Sequence, residues 1–459
     1  MLASLGLCAG YVIGDATDVL PGPLTFSAVE RRTFADARLV RAGTPVVGQA
    51  DDSRAIDRTA ASKLISQLLA TKGVGKEVTV AIAQADGTIV ASQDADTPRE
   101  PASTLKTLTA LAAASVLDMG STLDTQTYFV QESDGENLLI LKGNGDMLLG
   151  AGESDTAHVN GRAGLLTLAK ESAKALKARG ITKVTLAYDD SLFGEERYPS
   201  RINERNDGNL YYTGVSSMAV DGGRQRAMVL ADPDSFEDYP TLSQHTAADI
   251  AATFRTLLAK QGITVANATA QQTEAPASRT PLASVSSAPL SAVMAFMLQH
   301  SDNTLAEEFG RLLALHQGTG NSPEGATKAV MAQLDTLGVN TEGLAMGDCS
   351  GLGPGSKVSA ATLVDVQRRN LDPSIAPAAA EGLSVAGLVG TARTRLADAD
   401  AAGLLRVKTG SLGTVTSMAG NVSRAKGGTA AFAVVVNDPT DMAAAREAIN
   451  QFVAAIVDL

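Results

Sequence analysis

The apolar residues between positions 54 and 72 recur at the spacing of an amphipathic helix, and Gly73 follows as a helix stop. Two short β-branched runs come next, at 78–82 and 88–91. Asp86-Gly87 lies between them, and this dipeptide favours a tight hairpin turn. The chain therefore predicts a helix followed by an antiparallel hairpin.

A run rich in Ala and Leu opens at Pro101-Ala102-Ser103 and extends to Leu117. Proline is favoured at the start of a helix, so we predict a helix here, with the serine at its N-terminus. Helical spacing returns from Leu290 to His316 and again near 323–337 and 359–370. The stretch 290–370 is therefore mainly helical.

The last part of the chain contains three strand-like runs, at 403–408, 413–422 and 429–436, and then a helical run at 440–457. Together with the first hairpin and the helices, this order predicts the α+β class, with an antiparallel sheet flanked by helices.

The region 124–283 differs from its surroundings. Short strands such as 138–141 alternate there with a helix at 163–179 and with many Gly, Pro and Asp turns. We predict one or more inserted, mainly β-containing domains at 124–283. Residues 52–123 and 284–459 then form one discontinuous domain.

The N-terminal residues 1–14 are apolar, but they are few and have no basic segment before them. They are interpreted as the remnant of a signal peptide or membrane anchor, with 15–51 as a spacer; a poorly packed helix is the alternative. We therefore expect an extracytoplasmic protein that is secreted, periplasmic or cell-wall associated, and that touches a membrane only through this segment if it is retained. Lipid attachment at Cys8 is not predicted.

Composition narrows the functional classes. The 459 residues are 44% hydrophobic and 19% charged, with a net charge of -12 and no Trp. No basic cluster with interleaved aromatics occurs, so no nucleic-acid partner is expected. Two cysteines give no disulfide framework, and the four histidines lack metal-ligand spacing. We expect neither a metal nor a cofactor.

Ser103-Thr104-Leu105-Lys106 is the first motif with chemical meaning. A serine and a lysine three residues apart share one face of a helix, where the amine can take the hydroxyl proton. Alone the motif is weak, because Ser103 could simply cap the helix while Lys106 stays solvated. A second copy, Ser423-Arg424-Ala425-Lys426, lies in a polar turn between predicted strands and is interpreted as structural.

Two further motifs follow in order. Ser301-Asp302-Asn303 interrupts a helical region; it could present polar groups or cap the next helix, and both can be true. Lys408-Thr409-Gly410-Ser411 ends a strand, where Gly410 would let a substrate backbone approach and its neighbours would donate to a carboxylate. An edge strand with a glycine bulge is the alternative.

The three motifs in this order resemble the active-site-serine penicillin-recognising enzymes. The long gap between Ser103 and Ser301 resembles the class C low-molecular-mass group, similar to penicillin-binding protein 4, which carries inserted domains there. Weaker matches are Gly143-Asn144-Gly145-Asp146, Asp189-Asp190-Ser191-Leu192-Phe193, Asp348-Cys349-Ser350-Gly351-Leu352 and Gly390-Thr391-Ala392. Two departures are Cys349, where Gly is expected, and Met147, where Pro is frequent.

The resemblance implies a serine D-Ala-D-Ala carboxypeptidase that acts on peptidoglycan stem peptides through an acyl-enzyme and is covalently inhibited by β-lactam antibiotics. Ser103 would be the nucleophile and Lys106 its general base. Ser301 would pass a proton to the departing amine, Asn303 would hold the peptide amide, and Lys408 would tune Ser301 and attract the terminal carboxylate.

The substrate contacts also follow from the resemblance. The backbone N–H groups of Ser103 and Ser411 would form the oxyanion hole, and Thr409, Gly410 and Ser411 would bind the carboxylate. Asp146 would read a basic group on the stem peptide. The alternatives are a DD-endopeptidase activity beside the carboxypeptidase, a β-lactamase, or a catalytically silent peptidoglycan-binding scaffold.

Overall fold

The computed structural model of the protein describes residues 11–13, 15–17, 19, 52, 54–131, 136–228, 230–235, 238–396 and 400–459. The segment Met1–Gln49 separates from the unit Ala50–Leu459. Within the first segment, 11–13 and 15–16 are helical; the rest of the predicted targeting segment and most of the spacer lie outside the described residues. No helix among the described residues is long and apolar enough to cross a membrane.

The elements of the larger unit are given in chain order. The first part contains α1 (Arg58–Ala70), β1 (Glu77–Gln84), β2 (Ile89–Gln93) and α2 (Lys106–Ala114). The middle part contains β3 (Asp124–Gln131), β4 (Asn137–Gly143), β5 (Asp146–Leu149), α3 (Leu165–Ala178), β6 (Lys183–Asp189), β7 (Met218–Val220), α4 (Thr246–Lys260), β8 (Thr264–Val265), β9 (Gln271–Gln272) and β10 (Ala283–Ser286). The last part contains α5 (Leu290–His300), α6 (Asn303–Gln317), α7 (Pro323–Thr336), α8 (Ala360–Asn370), α9 (Pro377–Glu381), β11 (Ser384–Val385), β12 (Leu405–Leu412), β13 (Val415–Ser423), β14 (Thr429–Asn437) and α10 (Met442–Ile456).

The main sheet has six strands in the order β11-β12-β13-β14-β1-β2, and each neighbouring pair is antiparallel. The first strand of the chain therefore lies between the second strand and the last. This sheet and its helices confirm the predicted α+β class with an antiparallel sheet flanked by helices.

The main sheet is buried on both faces, and β14 shows why. Phe432 and Val434 belong to the apolar cluster that includes α1 and α10, whereas Ala433 and Val435 belong to the cluster that includes α2 and α8. Successive side chains of a strand point to opposite faces, so one β-branched strand serves two cores. The sheet thereby becomes a rigid central layer, and the elements that carry the motifs pack against it.

A second sheet, in the order β10-β3-β4-β6-β8, lies mostly within the predicted insertion, but its edge strand β10 runs from Ala283 to Ser286, beyond the predicted end at 283. β3 pairs antiparallel with β4 and β10, whereas β4 and β6 are parallel. The region also contains two long helices, α3 and α4, of which only α3 was predicted. Because β3 and β10 are neighbours, the chain enters and leaves this region at the same place.

Candidate active site

The candidate nucleophile Ser103 lies in a 3-10 turn, Ala102–Leu105, that leads directly into α2. Ala102 has a left-handed φ of 50°, a conformation that surrounding structure must hold for any residue with a Cβ. The support includes Gly351, because a Cβ added there would lie 2.0 Å from the Ala102 carbonyl oxygen. Ser103 thus lies at the start of the helical segment, as expected, on a turn that packs against Gly351.

Lys106 is completely buried, so the alternative of a solvated lysine is wrong. Its Nζ donates to Ser103 Oγ at 3.1 Å, to Asn303 Oδ1 at 2.7 Å and to the Ser350 carbonyl oxygen at 2.8 Å. These three acceptors hold the amine beside the hydroxyl of Ser103. The first two motifs therefore meet at one nitrogen atom.

Burial lowers the pKa of Lys106 to about 8, because the charged form loses its hydration. The carboxylates of Asp348, Asp302 and Glu307 act in the opposite direction and favour the charged form. Burial, rather than the charge of Lys408, therefore favours the neutral form of Lys106. Burial also holds the pKa of Lys408 well below its usual value, so Lys408 is a poor source of positive charge.

The second motif lies at the break between two helices. α5 ends before Ser301, which has a left-handed φ of 59°. Asp302 caps α6, since its carboxylate accepts from the Leu305 N–H at 2.9 Å. The predicted helix from Leu290 to His316 is therefore two helices, and the capping interpretation of the motif is correct. It does not compete with a chemical role, because the capping side chain belongs to the middle residue alone.

The outer residues of the second motif point toward the two buried lysines. Ser301 Oγ accepts from Lys408 Nζ at 3.0 Å. Asn303 accepts from Lys106 through Oδ1 and donates from Nδ2 to the Tyr211 carbonyl oxygen at 2.8 Å. The structure therefore holds the predicted residues in two hydrogen-bonded groups, Ser103 with Lys106 and Asn303, and Ser301 with Lys408.

The third motif lies within β12, not at its end, because the strand continues to Leu412. Gly410 also has a packing role. A Cβ at Gly410 would lie 2.2 Å from Ser417 Oγ and 2.9 Å from the Pro101 carbonyl oxygen. Only a glycine lets β12 lie this close to the turn that carries Ser103. Ser417, which faces Gly410 from the neighbouring strand β13, donates to the Pro101 carbonyl oxygen at 2.7 Å and ties β13 to that turn.

A cavity of about 930 Å³ opens over the hydrogen-bonded residues of the three motifs. Ser103, Ser301, Asn303, Thr409 and Ser411 all line it, so members of the three motifs face one space. Lys106 and Lys408 lie beneath that surface, with no exposed area. The arrangement places hydroxyl and amide groups in contact with a substrate and the two amines behind them.

Asp146 is not brought to this cavity. It lies on β5, is 2% exposed, and accepts from the Leu148 N–H at 2.9 Å. Burial raises the pKa of its carboxyl to about 7, which favours the neutral form. In this conformation a basic group on a substrate has no access to Asp146.

The sequence pattern gave no role to several groups that the structure places at the site. Asp348 accepts the backbone N–H groups of Ser350, Gly351 and Gly353 at 2.6 to 2.8 Å, and this loop directs the Ser350 carbonyl oxygen to Lys106. Its motif was noted only as a family match. Tyr211 had no signal at all, because it acts through its backbone.

The chain is similar to known proteins in sequence and in fold. A sequence model of the D-Ala-D-Ala carboxypeptidase 3 (S13) family matches residues 61–241 and 230–457. Carboxypeptidase DacB of Mycolicibacterium smegmatis is 32% identical over 371 residues, which cover 79% of this chain and 76% of that protein. Carboxypeptidase Rv3627c of Mycobacterium tuberculosis is 29% identical over 356 residues, covering 75% and 72%.

Among solved structures, penicillin-binding protein 4 (dacB) of Haemophilus influenzae is similar in fold. The TM-score is 0.70 at 20% sequence identity, and the match covers 87% of this chain and 99% of that one. At this identity the likeness concerns the fold alone.

Proposed function

The chain belongs to the D-Ala-D-Ala carboxypeptidase 3 (S13) family and is a serine-type D-Ala-D-Ala carboxypeptidase, and from this premise we propose that Ser103 is its nucleophile. The observation that carries the proposal is the completely buried Lys106 amine, 3.1 Å from Ser103 Oγ. The substrate is the terminal D-Ala-D-Ala of a peptidoglycan stem peptide, and β-lactams bind to the same serine.

In the first step, neutral Lys106 takes the proton of Ser103 Oγ as this oxygen attacks the carbonyl carbon between the two D-alanines. The backbone N–H groups of Ser103 and Ser411 stabilise the negative charge that forms on the carbonyl oxygen. The pKa of about 8 for Lys106 supports this role, because an appreciable fraction of the amine is unprotonated near neutral pH.

The carbon–nitrogen bond then breaks, and the departing amine needs a proton. Ser301 relays to this amine the proton that Lys106 took from Ser103, and Ser301 is held for this by the bond from Lys408. Thr409, Gly410 and Ser411 receive the carboxylate of the leaving D-alanine. Water then hydrolyses the ester on Ser103 and releases the shortened peptide.

Asn303 has a second task in this proposal. Its side-chain amide holds Lys106 in place, and it lines the cavity where the peptide amide of the substrate would lie. Asp146 stays in the proposal only as a contact made after a rearrangement, because it is buried on β5.

The size of the cavity favours a second activity, the cleavage of cross-links. About 930 Å³ is near the upper end of small-ligand pockets and exceeds what two alanine residues fill. A larger, branched peptide could therefore occupy the site as an endopeptidase substrate.

The organisation and location of the protein are part of the same proposal. We assign 52–123 and 284–459 to the peptidase domain and 124–283 to the insertion, which has its own sheet and core. The protein acts outside the cytoplasm, where its cell-wall substrate lies. Residues 1–14 would direct its export or anchor it.

The test uses a fluorescent penicillin and a D-Ala-D-Ala peptide with three proteins: the parent, Ser103→Ala and Ser423→Ala. The last variant is a matched control, because Ser423 belongs to the second Ser-x-x-Lys copy, which lies at the turn between β13 and β14. We expect labelling and D-alanine release with the parent and Ser423→Ala only.

Peptide mass spectrometry should locate the adduct on Ser103. A folded Ser103→Ala variant that still forms the adduct would disprove the nucleophile assignment. A folded parent that neither labels nor releases D-alanine would favour the silent scaffold. Fast release of the hydrolysed penicillin would favour the β-lactamase.

A further inference from the structure

The middle residue of the second motif points away from the cavity. Asp302 forms an ion pair with Arg224, with 2.5 Å between Arg224 NH2 and Asp302 Oδ2. The two side chains are only 3% and 7% exposed, so the pair is shielded from water. Its other oxygen, Oδ1, accepts from the Leu305 N–H. Both oxygens of this carboxylate are therefore held.

The backbone around Arg224 is shaped to place this guanidinium. Asp221, Gly222 and Gly223 have φ values of 49°, 61° and 82°, three left-handed residues in succession. A Cβ on Gly222 would lie 2.7 Å from Arg224 NH1, so the side chain folds back over a glycine. Arg224 NH1 then donates to the Asp221 carbonyl oxygen at 3.0 Å.

The turn itself is anchored from two other sides. Asp221 Oδ1 accepts from Asn160 at 2.7 Å, and Asp221 Oδ2 accepts from Arg226 at 2.6 Å. Arg226 also donates to Asp238, and among the described residues it makes no hydrogen bond to the second motif. Arg224 is thus the member of this network that reaches the second motif.

We propose that Arg224 is a positioning residue that fixes Ser301 for proton transfer to the departing amine. Ser301 has a left-handed backbone, which a serine adopts only when its neighbours hold it. Asp302 follows it directly, so the position of that carboxylate sets the position of Ser301 Oγ. Without Arg224, the buried carboxylate of Asp302 loses its countercharge, and this cost favours a rearrangement of the break between α5 and α6.

The inference rests on the proposed role of Ser301 and makes a chemical distinction. When an amide is cleaved, the leaving amine must gain a proton as the carbon–nitrogen bond breaks. When the matching thioester is cleaved, a thiolate leaves without one. A misplaced proton donor therefore slows acylation by the amide much more than acylation by the thioester.

The experiment compares Arg224→Met, Arg224→Lys and the matched control Arg226→Met on a D-Ala-D-Ala peptide and on its thioester analogue. We expect Arg224→Met to lower kcat/KM for the peptide by about tenfold or more, mainly through kcat. For the thioester, the change should stay below about threefold, because no proton is needed. Arg224→Lys should recover part of the loss, and Arg226→Met should lose clearly less than Arg224→Met, because it loosens the turn but leaves the ion pair with Asp302.

Thermal unfolding of each variant shows whether it is folded. Equal losses on the two substrates, or equal losses in Arg224→Met and Arg226→Met, would mean a purely structural role and overturn the inference. A folded Arg224→Met with parental peptide activity would overturn it as well. Failure of the nucleophile proposal gives a different result from failure of the Arg224 proposal. If Ser103 is not the nucleophile, Ser103→Ala retains peptide cleavage, whatever the Arg224 variants do.

Discussion

Two lysine side chains without any exposed area define the chemistry at the residue scale. Lys106 and Lys408 each exchange hydration for a few hydrogen bonds, and burial moves the pKa of both amines downward. The pKa of Lys106 is about 8, close to neutral pH. Its proton is therefore easily lost, and an amine that has lost it can act as a base.

The rate of acylation should follow the titration of Lys106. Only the unprotonated amine can accept the Ser103 proton, so the second-order rate constant should rise with pH, reach half its maximum near pH 8 and level off above it. Stopped-flow measurement with a fluorescent penicillin checks this. A rate that is flat between pH 6 and 9 would contradict the assignment of Lys106 as the base.

Glu307→Gln offers a control for that profile. Glu307 accepts from the Cys349 N–H, an acceptor that glutamine keeps, and its charge favours the protonated form of Lys106. Burial raises the pKa of Glu307 itself to about 8, so its charge develops over the same range as the Lys106 titration, and removing it should shift the upper part of the rising profile to lower pH. A shift to higher pH would show that the electrostatic account is wrong.

Most of the candidate site was predictable because its chemistry depends on short, local patterns. Ser103 and Lys106 share a helical turn, and the other two motifs are each contiguous. Arg224 was not predictable, because its partner Asp302 is 78 residues away and only the fold brings them together. The buried position of Asp146 was hidden for the same reason.

At the scale of elements, α6 and the loop after α7 have matched shapes. Cys349 stands where the family resemblance suggests glycine, and Gly310 faces it from α6. A Cβ on Gly310 would lie 2.4 Å from the Cys349 sulfur and 3.2 Å from the Ala326 Cβ. The larger residue on the loop is accommodated by the absence of a side chain on the helix.

This match predicts a coupled pair of substitutions. Gly310→Ala should lower the free energy of unfolding by about 1–3 kcal/mol through overpacking. Combining it with Cys349→Gly should cost at least about 1 kcal/mol less than the sum of the single changes. Urea unfolding of the four proteins completes the cycle, and strictly additive values would refute the contact.

Element types were predicted better than element ends. Hydrophobic periodicity located five of the six main-sheet strands, all but the two-residue β11, and most helices, because it reflects burial on both sides of one layer. It placed the end of β12 at Lys408, four residues early, since polar residues at a cavity break the pattern. It also missed α4, whose alanines and threonines give a weak apolar signal.

At the scale of the whole molecule, the unit Ala50–Leu459 contains several apolar clusters, and we call the proposed peptidase domain, 52–123 and 284–459, its frame. One cluster lies entirely between residues 129 and 285 and contains Leu168, Leu186 and Phe254. Phe193 and Val215 instead join the cluster of the frame. The insertion therefore has a core of its own and also packs against the domain that carries the motifs.

A fragment of residues 122–288 should fold without the frame. We expect a cooperative thermal transition by circular dichroism, because the second sheet and its helices form a complete layer pair. Phe254→Ala in the same fragment should remove about 3–5 kcal/mol of stability. A fragment that melts without cooperativity would show that 124–283 is not an independent domain.

The position of β1 between β2 and β14 has a consequence for the timing of activity. The ribosome completes β1 at residue 84 and β14 only at residue 437, roughly 18 to 70 seconds later at ordinary rates of translation. β12, the strand that carries Lys408, is complete only at residue 412, so for most of that interval the nascent chain holds Ser103 and Lys106 without Lys408. A stalled or truncated chain therefore contains Ser103 and Lys106 without the complete site, and we expect acylation of Ser103 only in the finished polypeptide.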